Sequence, residues 1–562
     1  MSEIRAAGTS ADPAPPAATV AELVLARASD RGAGLLFEDG RWSWAEVVTE
    51  SIGRAGALAR LRRAGPFHVG VLLENIPEYV FVLFGAALAR ATVVGINPTR
   101  RGEELARDIR HTDCQMVLTD RSGLSLLEGL DLGMEAGRVI DIESSTWAGL
   151  TLETVPELEA QPGPDQLYLL LFTSGSTGAP KAVRMTQGRA ARTAADSAVA
   201  FSPGDVLYCA MPLFHGNALL ANLLAGLVSG GTVALRRRFS ASAFGPDLRA
   251  TGATFFNYVG RALSYILAVP EAPEDGDNRL KWALGSEASL RDRQEFTRRF
   301  GCPIFEGYGS SENAVVISPA GGMPAGALGK PRRGSDVIVA NRETGQECAP
   351  AAFDPDGRLA NPAEAIGEIV GRNTADRFEG YYNNAEAEAE RLRSGWYWTG
   401  DLGYRDAEGW FWFAGRTADW LRVDGENFSV GPVERILERW EAARGVAVYG
   451  VPDPVTGDQV MAAIEAGETG AFDPVELDRF LGAQPDLGTK WAPRFVRVLT
   501  DLPLTATGKV DKVQLRRRGW DGPGPVWWRP PGADGYRPMT DEDRTALAAR
   551  FQENHRDQLL AF

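Results

Sequence analysis

A chain of 562 residues, at about 150 residues per domain, holds roughly three to four compact units, which excludes a single small domain. Its 44% hydrophobic and 24% charged residues exclude a disordered or fibrous protein. With 59 Lys+Arg against 74 Asp+Glu the formal charge is -15, which argues against a nucleic acid or an anionic membrane as partner, so any bound phosphate has to be gripped locally.

In chain order, residues 1–19 are rich in Ala and Pro and carry no apolar run, so they read as a flexible tail rather than a signal peptide. The longest apolar stretch, 79–96, contains Arg90 and ends before Asn97-Pro98; a buried helix followed by a strand explains it better than a membrane span. Short apolar runs at 69–73, 93–96, 116–118, 167–172, 206–210 and 233–235 alternate with longer helical patterns, which predicts βα units and parallel sheets. Near Ala327 the texture changes to Gly-rich, shorter segments such as 337–340 and 368–370, a smaller β-rich module.

From about Asp419 the chain reads as a separate α+β unit, with an amphipathic helix at 433–444 and a strand at 445–451. A Pro-rich stretch, 522–531, leads to a last helix at 541–554 with Thr540 as N-cap and Asp543 three residues on. Trp527 and Trp528 beside Pro530-Pro531 either pack on this unit or touch lipid. The four cysteines, Cys114, Cys209, Cys302 and Cys348, are far apart and lack the close pairs of metal sites. Free thiols in a reducing, cytoplasmic setting follow.

The segment Leu171-Phe172-Thr173-Ser174-Gly175-Ser176-Thr177-Gly178-Ala179-Pro180-Lys181 is a strand running into hydroxyls and glycines and closing on a lysine. Glycines let backbone N–H groups approach anionic oxygens, hydroxyls add donors, and an ammonium neutralises charge, so the loop suits a polyphosphate. It is not a Walker loop, because Lys181 follows Pro180 and no Ser or Thr comes next. Alone, the same residues also fit an ordinary connection.

Further motifs stand in order along the chain: Pro212-Leu213-Phe214-His215, Tyr308-Gly309-Ser310-Ser311-Glu312, residues 395–401 ending in Thr399-Gly400-Asp401, Gly415-Arg416-Thr417-Ala418-Asp419, residues 425–429, and residues 502–509 ending in Gly508-Lys509. With the Ser/Gly loop, this series resembles the acyl-activating (adenylate-forming) superfamily of acyl-CoA synthetases, luciferases and peptide-synthetase adenylation domains, from about residue 42 to residue 518. Residues 255–267 and 536–540 are most similar to its fatty acid transport protein, or very-long-chain acyl-CoA synthetase, branch.

The resemblance implies an α/β plus α+β fold: a large N-terminal adenylate-forming domain, 20–416, of α/β subdomains with a small β-rich one, and a mobile C-terminal α+β domain with an extension, 417–562. It implies an acid–thiol ligase that makes acyl-CoA, AMP and pyrophosphate from a carboxylic acid, ATP and CoA through an acyl adenylate. Thr173, Ser174, Gly175, Ser176, Thr177, Gly178 and Lys181 would hold phosphates. Ser286, Glu287, Ala288, Glu306, Gly307, Tyr308, Gly309, Ser310 and Ser311 would hold the adenine side, with Tyr308 stacked on the base. Asp401 and Arg416 would take the ribose. Glu312, assisted by Thr177, would hold Mg²⁺, and Lys509 would bridge the carboxylate and the α-phosphate.

In the resembled family the C-terminal domain then rotates about the hinge near Ala418, withdrawing the lysine and bringing Gly425, Glu426 and Asn427 to line the thiol route. His215, Gly216, Ala221, Tyr258 and Gly309 would contact the acyl group. The run 216–231, with small Ala218, Ala221, Ala225 and Gly226 near Phe255, Phe256 and Tyr258, fits a roomy apolar pocket for a large hydrophobic acid and equally fits tight helix packing. Ala418, Trp398, Ser311 and Ala182 depart from the family's commoner residues, and an indole before Asp401 has the bulk to crowd a ribose. The partners implied are small molecules only, with no nucleic acid and no integral membrane segment; a homodimer stays open. Also open are thioester formation from a preformed acyl-AMP, ligation to a carrier protein's thiol, and a non-enzymatic lipid-binding relative.

Overall fold

The computed structural model describes residues 18–153, 161–173, 181–259, 262–286, 288, 290–355, 357–416, 420–423, 426–455, 457–466, 472–484, 487–488, 490–505, 508–554 and 556–560. By internal contacts the chain forms two compact units, residues 1–314 with 376–390, and residues 315–375 with 391–562.

The first unit holds two sheets. One runs in the order Ile304–Glu306, Trp282–Gly285, Phe255–Asn257, Val206–Cys209, Thr232–Leu235, Ala33–Phe37, Gly40–Ser43. It is parallel except at its last edge. The other runs Val139–Asp141, Cys114–Thr119, His68–Leu72, Thr92–Gly95, Leu167–Thr173, Lys181–Thr186, with only the final pair antiparallel. The β-branched runs in the sequence therefore mark strands buried on both faces, as parallel sheets require: every residue of His68–Leu72 and of Thr92–Gly95 is buried.

The apolar stretch 79–96 is the helix Pro77–Leu88 followed by Thr92–Gly95. Pro77 sits at the helix start, where its missing N–H costs nothing, and all residues from Tyr79 to Leu88 are buried. Among the described residues no helix is long and apolar enough to cross a membrane.

On the helix Gly102–His111, Asp108 is fully buried, with Arg100 Nε 2.8 Å from its Oδ2. Burial raises its carboxyl from the ordinary 3.8 to about 6, against the opposing pull of Arg100. The folded state thus keeps a proton that the unfolded state releases between about pH 4 and 6, so this group's contribution to stability falls as pH rises through that window. Asp108→Asn is expected to remove that fall, worth up to ~3 kcal/mol. Denaturant unfolding of both proteins across that range is the measurement, and parallel pH profiles would sink the expectation.

In the second unit, Val337–Ala340, Gly367–Gly371, Trp396–Arg405, Leu392–Arg393 and Phe411–Arg416 form the antiparallel β-rich module. A hairpin, Trp420–Val423 with Glu426–Ser429, follows. A five-stranded sheet then runs Gly445–Pro452, Asp458–Glu465, Phe495–Leu499, Val526–Trp528, Arg537–Pro538.

The helix expected at 433–444 instead spans Val430–Leu437. Ser429 caps it by accepting from Gly431 N, and its end tightens where Arg439 N and Trp440 N donate to Ile436 O and Leu437 O. That tightening seats Trp440 in the core, its ring 5.8 Å from Phe472. Trp528 is stacked on Phe495 at 5.9 Å and is buried, which decides for packing over lipid contact. The last helix, Asp541–Glu553, carries the Thr540/Asp543 capping box. All four cysteines are free.

Candidate nucleotide and acyl site

Thr173 and Lys181 face each other as the last pair of an antiparallel ladder, so the Ser/Gly loop is the connection of a hairpin. Ser174, Gly175, Ser176, Thr177 and Gly178 themselves lie outside the described residues, as do Glu287, Ala418 and Gly425. On the other side of Lys181–Thr186 the chain returns at 380–382: Val183 bridges Tyr381, Arg184 N donates to Gly380 O, and Tyr382 N donates to Ala182 O. This extra edge brings the Tyr381 ring beneath the Lys181 ammonium, 5.9 Å from Nζ, while Glu390 Oε2 accepts from that Nζ at 3.2 Å.

Tyr381 links Lys181 to the Tyr308–Glu312 motif, because its hydroxyl donates to Glu312 Oε1 at 2.7 Å in a buried setting. Arg189, on the helix Gln187–Ala198, donates to the carbonyls of Ser311 and Glu312 and to Arg184 O. One buried guanidinium therefore ties the strand Lys181–Thr186 to the Tyr308–Glu312 motif. Tyr381→Phe leaves the buried Glu312 oxygen without this donor, so stability is expected to fall by about 1–3 kcal/mol. A thermal midpoint equal to that of the wild type would refute this.

Three adjacent parallel strands end together, with Asn257 paired to Leu284 and Gly285 paired to Glu306. The loops after them carry Tyr258, Ser286 and Ala288, and Gly307 to Glu312, at the carboxyl edge where open α/β sheets bind ligands. Glu306 pins the loops: its Oε1 accepts from Ala288 N at 2.8 Å and from Tyr258 OH at 3.2 Å, and Arg293 lies 3.4 Å from its Oε2. Burial, then the Glu306 charge, pushes the Tyr258 hydroxyl well above the ordinary phenol range, so it stays a donor. Gly285 is required there, since a Cβ would lie 2.4 Å from the Tyr258 ring. Tyr308 is partly buried, whereas Gly309 and Ser310 are exposed.

His215 packs against Phe214, with ring centroids 4.3 Å apart. A Cβ on Gly216 would lie 3.5 Å from Ser311 Oγ, which places the loop after Pro212-Leu213-Phe214-His215 against the Tyr308–Glu312 motif. After Asn217 the chain makes a π-helical turn, Ala218–Leu223, and then a helix, Leu224–Ser229. Several of the small residues here serve packing: a Cβ on Gly226 would meet Val233 Cγ2 at 2.6 Å, Ala225 joins Leu207 and Phe255 in a core cluster, and Ala218 is fully buried. Ala221 is only half-buried.

In the second unit Asp401 pairs with Arg416 across two strands, and its backbone N–H donates to Thr399 Oγ1 at 3.1 Å. Gly400 N donates to Glu368, whose carboxyl is pushed up by burial despite Arg393 nearby. The Trp398 indole is buried with Ile338, Ala340 and Val370 beneath Arg393, so its bulk is taken up by the module's own core. Glu426 and Asn427 lie on one strand of the hairpin. Lys509 closes a tight loop in which Thr505 N donates to Lys509 O at 2.7 Å and Lys509 N to Thr505 Oγ1 at 3.2 Å.

Tyr381, Arg189 and Glu390 belong to none of the motifs legible in the sequence. Gly380-Tyr381 follows Phe378-Glu379 as a glycine and aromatic pair, a weak local signal that gains meaning only once the strand beside it is known.

A family model described as AMP-binding enzyme matches residues 23–382, and one described as AMP-binding enzyme C-terminal domain matches residues 432–509. The chain is 50% identical over 548 residues to a steroid-22-oyl-CoA synthetase of Rhodococcus jostii (strain RHA1), covering 96% of this chain and 99% of that protein. It is 43% identical over 523 residues to the medium/long-chain-fatty-acid–CoA ligase FadD17 of Mycobacterium marinum, covering 92% and 99%. At lower identity, 30% over 518 residues, stands the long-chain fatty acid transport protein 1 of Mus musculus, with 85% of this chain and 78% of that one covered. Among solved structures, o-succinylbenzoate CoA synthetase from Bacillus subtilis in complex with its acyl-adenylate intermediate is similar with a TM-score of 0.74 and 27% identity, over 89% of this chain and 98% of that one. The chain belongs to the AMP-binding enzyme family, among its acyl-CoA synthetases.

Proposed function

We propose that this chain ligates a large hydrophobic carboxylic acid, of steroid side-chain or long-chain type, to CoA through an acyl adenylate. The observation that carries this reading is the buried link from Lys181 through Tyr381 to Glu312, which gathers a cation and a carboxylate beside the strand that follows the Ser/Gly loop. The names of the similar CoA ligases support it.

A carboxylate is a poor electrophile. Its oxygen attacks the α-phosphorus of ATP, pyrophosphate leaves, and the acyl carbon gains AMP as a leaving group. Lys181 and the hairpin backbone balance the phosphate charge, Tyr308 offers a face to adenine, and Asp401 with Arg416 takes the ribose. Lys509 neutralises the two anions as they approach. The CoA thiol, with a pKa near the ~8.5 of an ordinary thiol, then attacks the acyl carbon and AMP departs. Residues 417–562 act as the mobile domain, presenting Lys509 in the first half and the 425–427 loop in the second.

Among the described residues no group of three or more His, Cys, Asp or Glu could hold a metal alone. One buried carboxylate plus substrate oxygens is the usual arrangement for Mg²⁺, so Glu312 and Thr177 fit as its protein ligands. When bound, the ion supplies positive charge against the leaving pyrophosphate.

ATP–pyrophosphate exchange with candidate acids, run beside thioester formation from synthetic acyl-AMP and CoA, tests the reading. Exchange and thioester together are expected. Thioester without exchange would leave only a transferase, and neither would leave a lipid-binding relative.

A further inference from the structure

The proposed acyl side is not uniformly apolar. Three carboxamides meet there: Asn217 just before the π-helical turn, Asn222 within it, and Asn257 at the end of the strand Phe255–Asn257. Asn222 is 0% exposed and Asn257 is 2% exposed. Their orientation is determined by a backbone group that can only accept. Asn222 Nδ2 donates to Tyr208 O at 3.1 Å, so its Oδ1 faces Asn257. Asn257 therefore presents Nδ2 to it, at 3.1 Å, and the same Nδ2 donates to Asn217 Oδ1 at 2.7 Å.

Both donors of Asn257 are thus directed inward, and its Oδ1, shielded from solvent, accepts no hydrogen bond among the described residues. A buried acceptor left alone costs about 1–3 kcal/mol, and an apolar residue of the same shape would avoid that cost. The atom sits at the carboxyl edge of the parallel sheet. Its partner Asn217 follows Gly216, which adjoins Ser311 of the nucleotide-side motif. The π-helical turn that carries Asn222 is a rare distortion, frequent at functional sites.

From this we infer that the acyl substrate carries a hydroxyl group, and that the Asn257 side-chain carbonyl receives it. An acceptor-only atom selects a donor, so a hydroxylated acid is favoured, while a ketone at the same position gains nothing. This inference rests on the ligase reading above and deepens it by naming the substrate class.

The test measures kcat/KM for ATP–pyrophosphate exchange with unsubstituted polycyclic and long-chain acids. Each is compared with derivatives of the same skeleton bearing one hydroxyl at successive positions, and with the ketone at each position. One hydroxyl position is expected to raise kcat/KM by about tenfold or more, with no gain for its ketone. In Asn257→Leu the ratio of hydroxylated to unsubstituted acid should fall to near one. A wild-type enzyme that prefers no hydroxyl position would overturn the inference, leaving the carbonyl to a buried water. So would an equal gain with the ketone, or a preference that survives in Asn257→Leu. Exchange with the unsubstituted acids separates the two levels, since its absence for every acid would remove the ligase reading itself.

Discussion

Replacing Lys509 by alanine is expected to lower ATP–pyrophosphate exchange by about 10²–10³-fold, while thioester formation from synthetic acyl-AMP and CoA falls far less. The asymmetry follows from charge. In adenylation a carboxylate must approach an anionic α-phosphate, and an ammonium between them offsets the repulsion. In thioester formation the phosphate is leaving and the attacking atom is sulfur. The substitution should not disturb the loop, because its closure is carried by backbone groups and Thr505: Thr505 N to Lys509 O, Lys509 N to Thr505 Oγ1, and a bridge between Leu504 and Val510. Gly508 takes φ +79°, a conformation that does not depend on the lysine side chain. Single-turnover rates for each half-reaction, measured separately, decide the matter. Equal losses in both halves would contradict an assignment of Lys509 to the first.

Much of the first unit was legible because parallel strands are written as short β-branched runs, and these need no tertiary information to be seen. The strand leading into the Ser/Gly loop was legible because Leu167–Thr173 opens on an apolar run, but its antiparallel return as Lys181–Thr186 was not, since Lys181, Arg184 and Thr186 break the apolar pattern there. Tyr381 was not, since it belongs to the site only through a bridge to Val183 and a hydrogen bond to Glu312, both far away in sequence. The return of residues 376–390 to the first unit is likewise a fact of tertiary pairing. Small residues at 218–226 fitted a pocket and a packed helix equally well. Only the approach of Gly226 to Val233 and of Ala225 to Phe255 shows that packing uses most of them. The carboxamide cluster was invisible for a related reason, because three asparagines separated by up to forty positions look like loop residues until a strand end and a π-helical turn are brought together.

Glu312→Gln should reduce exchange by about 10²-fold and raise the Mg²⁺ concentration needed for half-maximal rate, while the thermal midpoint stays near that of the wild type. Glutamine keeps the shape, and its side-chain carbonyl can still accept from Tyr381, so the buried hydrogen bond at 2.7 Å survives without the charge. What is lost is a hard anionic oxygen ligand for the cation. An unchanged Mg²⁺ requirement would remove Glu312 from that role. Tyr381→Phe does the reverse, removing the hydrogen bond and keeping the charge, so the two variants separate the structural from the electrostatic part of one carboxylate. Because glutamine keeps the acceptor, Tyr381→Phe should destabilise the Glu312→Gln background as well as the wild type, since the bond it removes is present in both. A Tyr381→Phe substitution that costs nothing in the Glu312→Gln background would mean that glutamine does not accept this hydrogen bond.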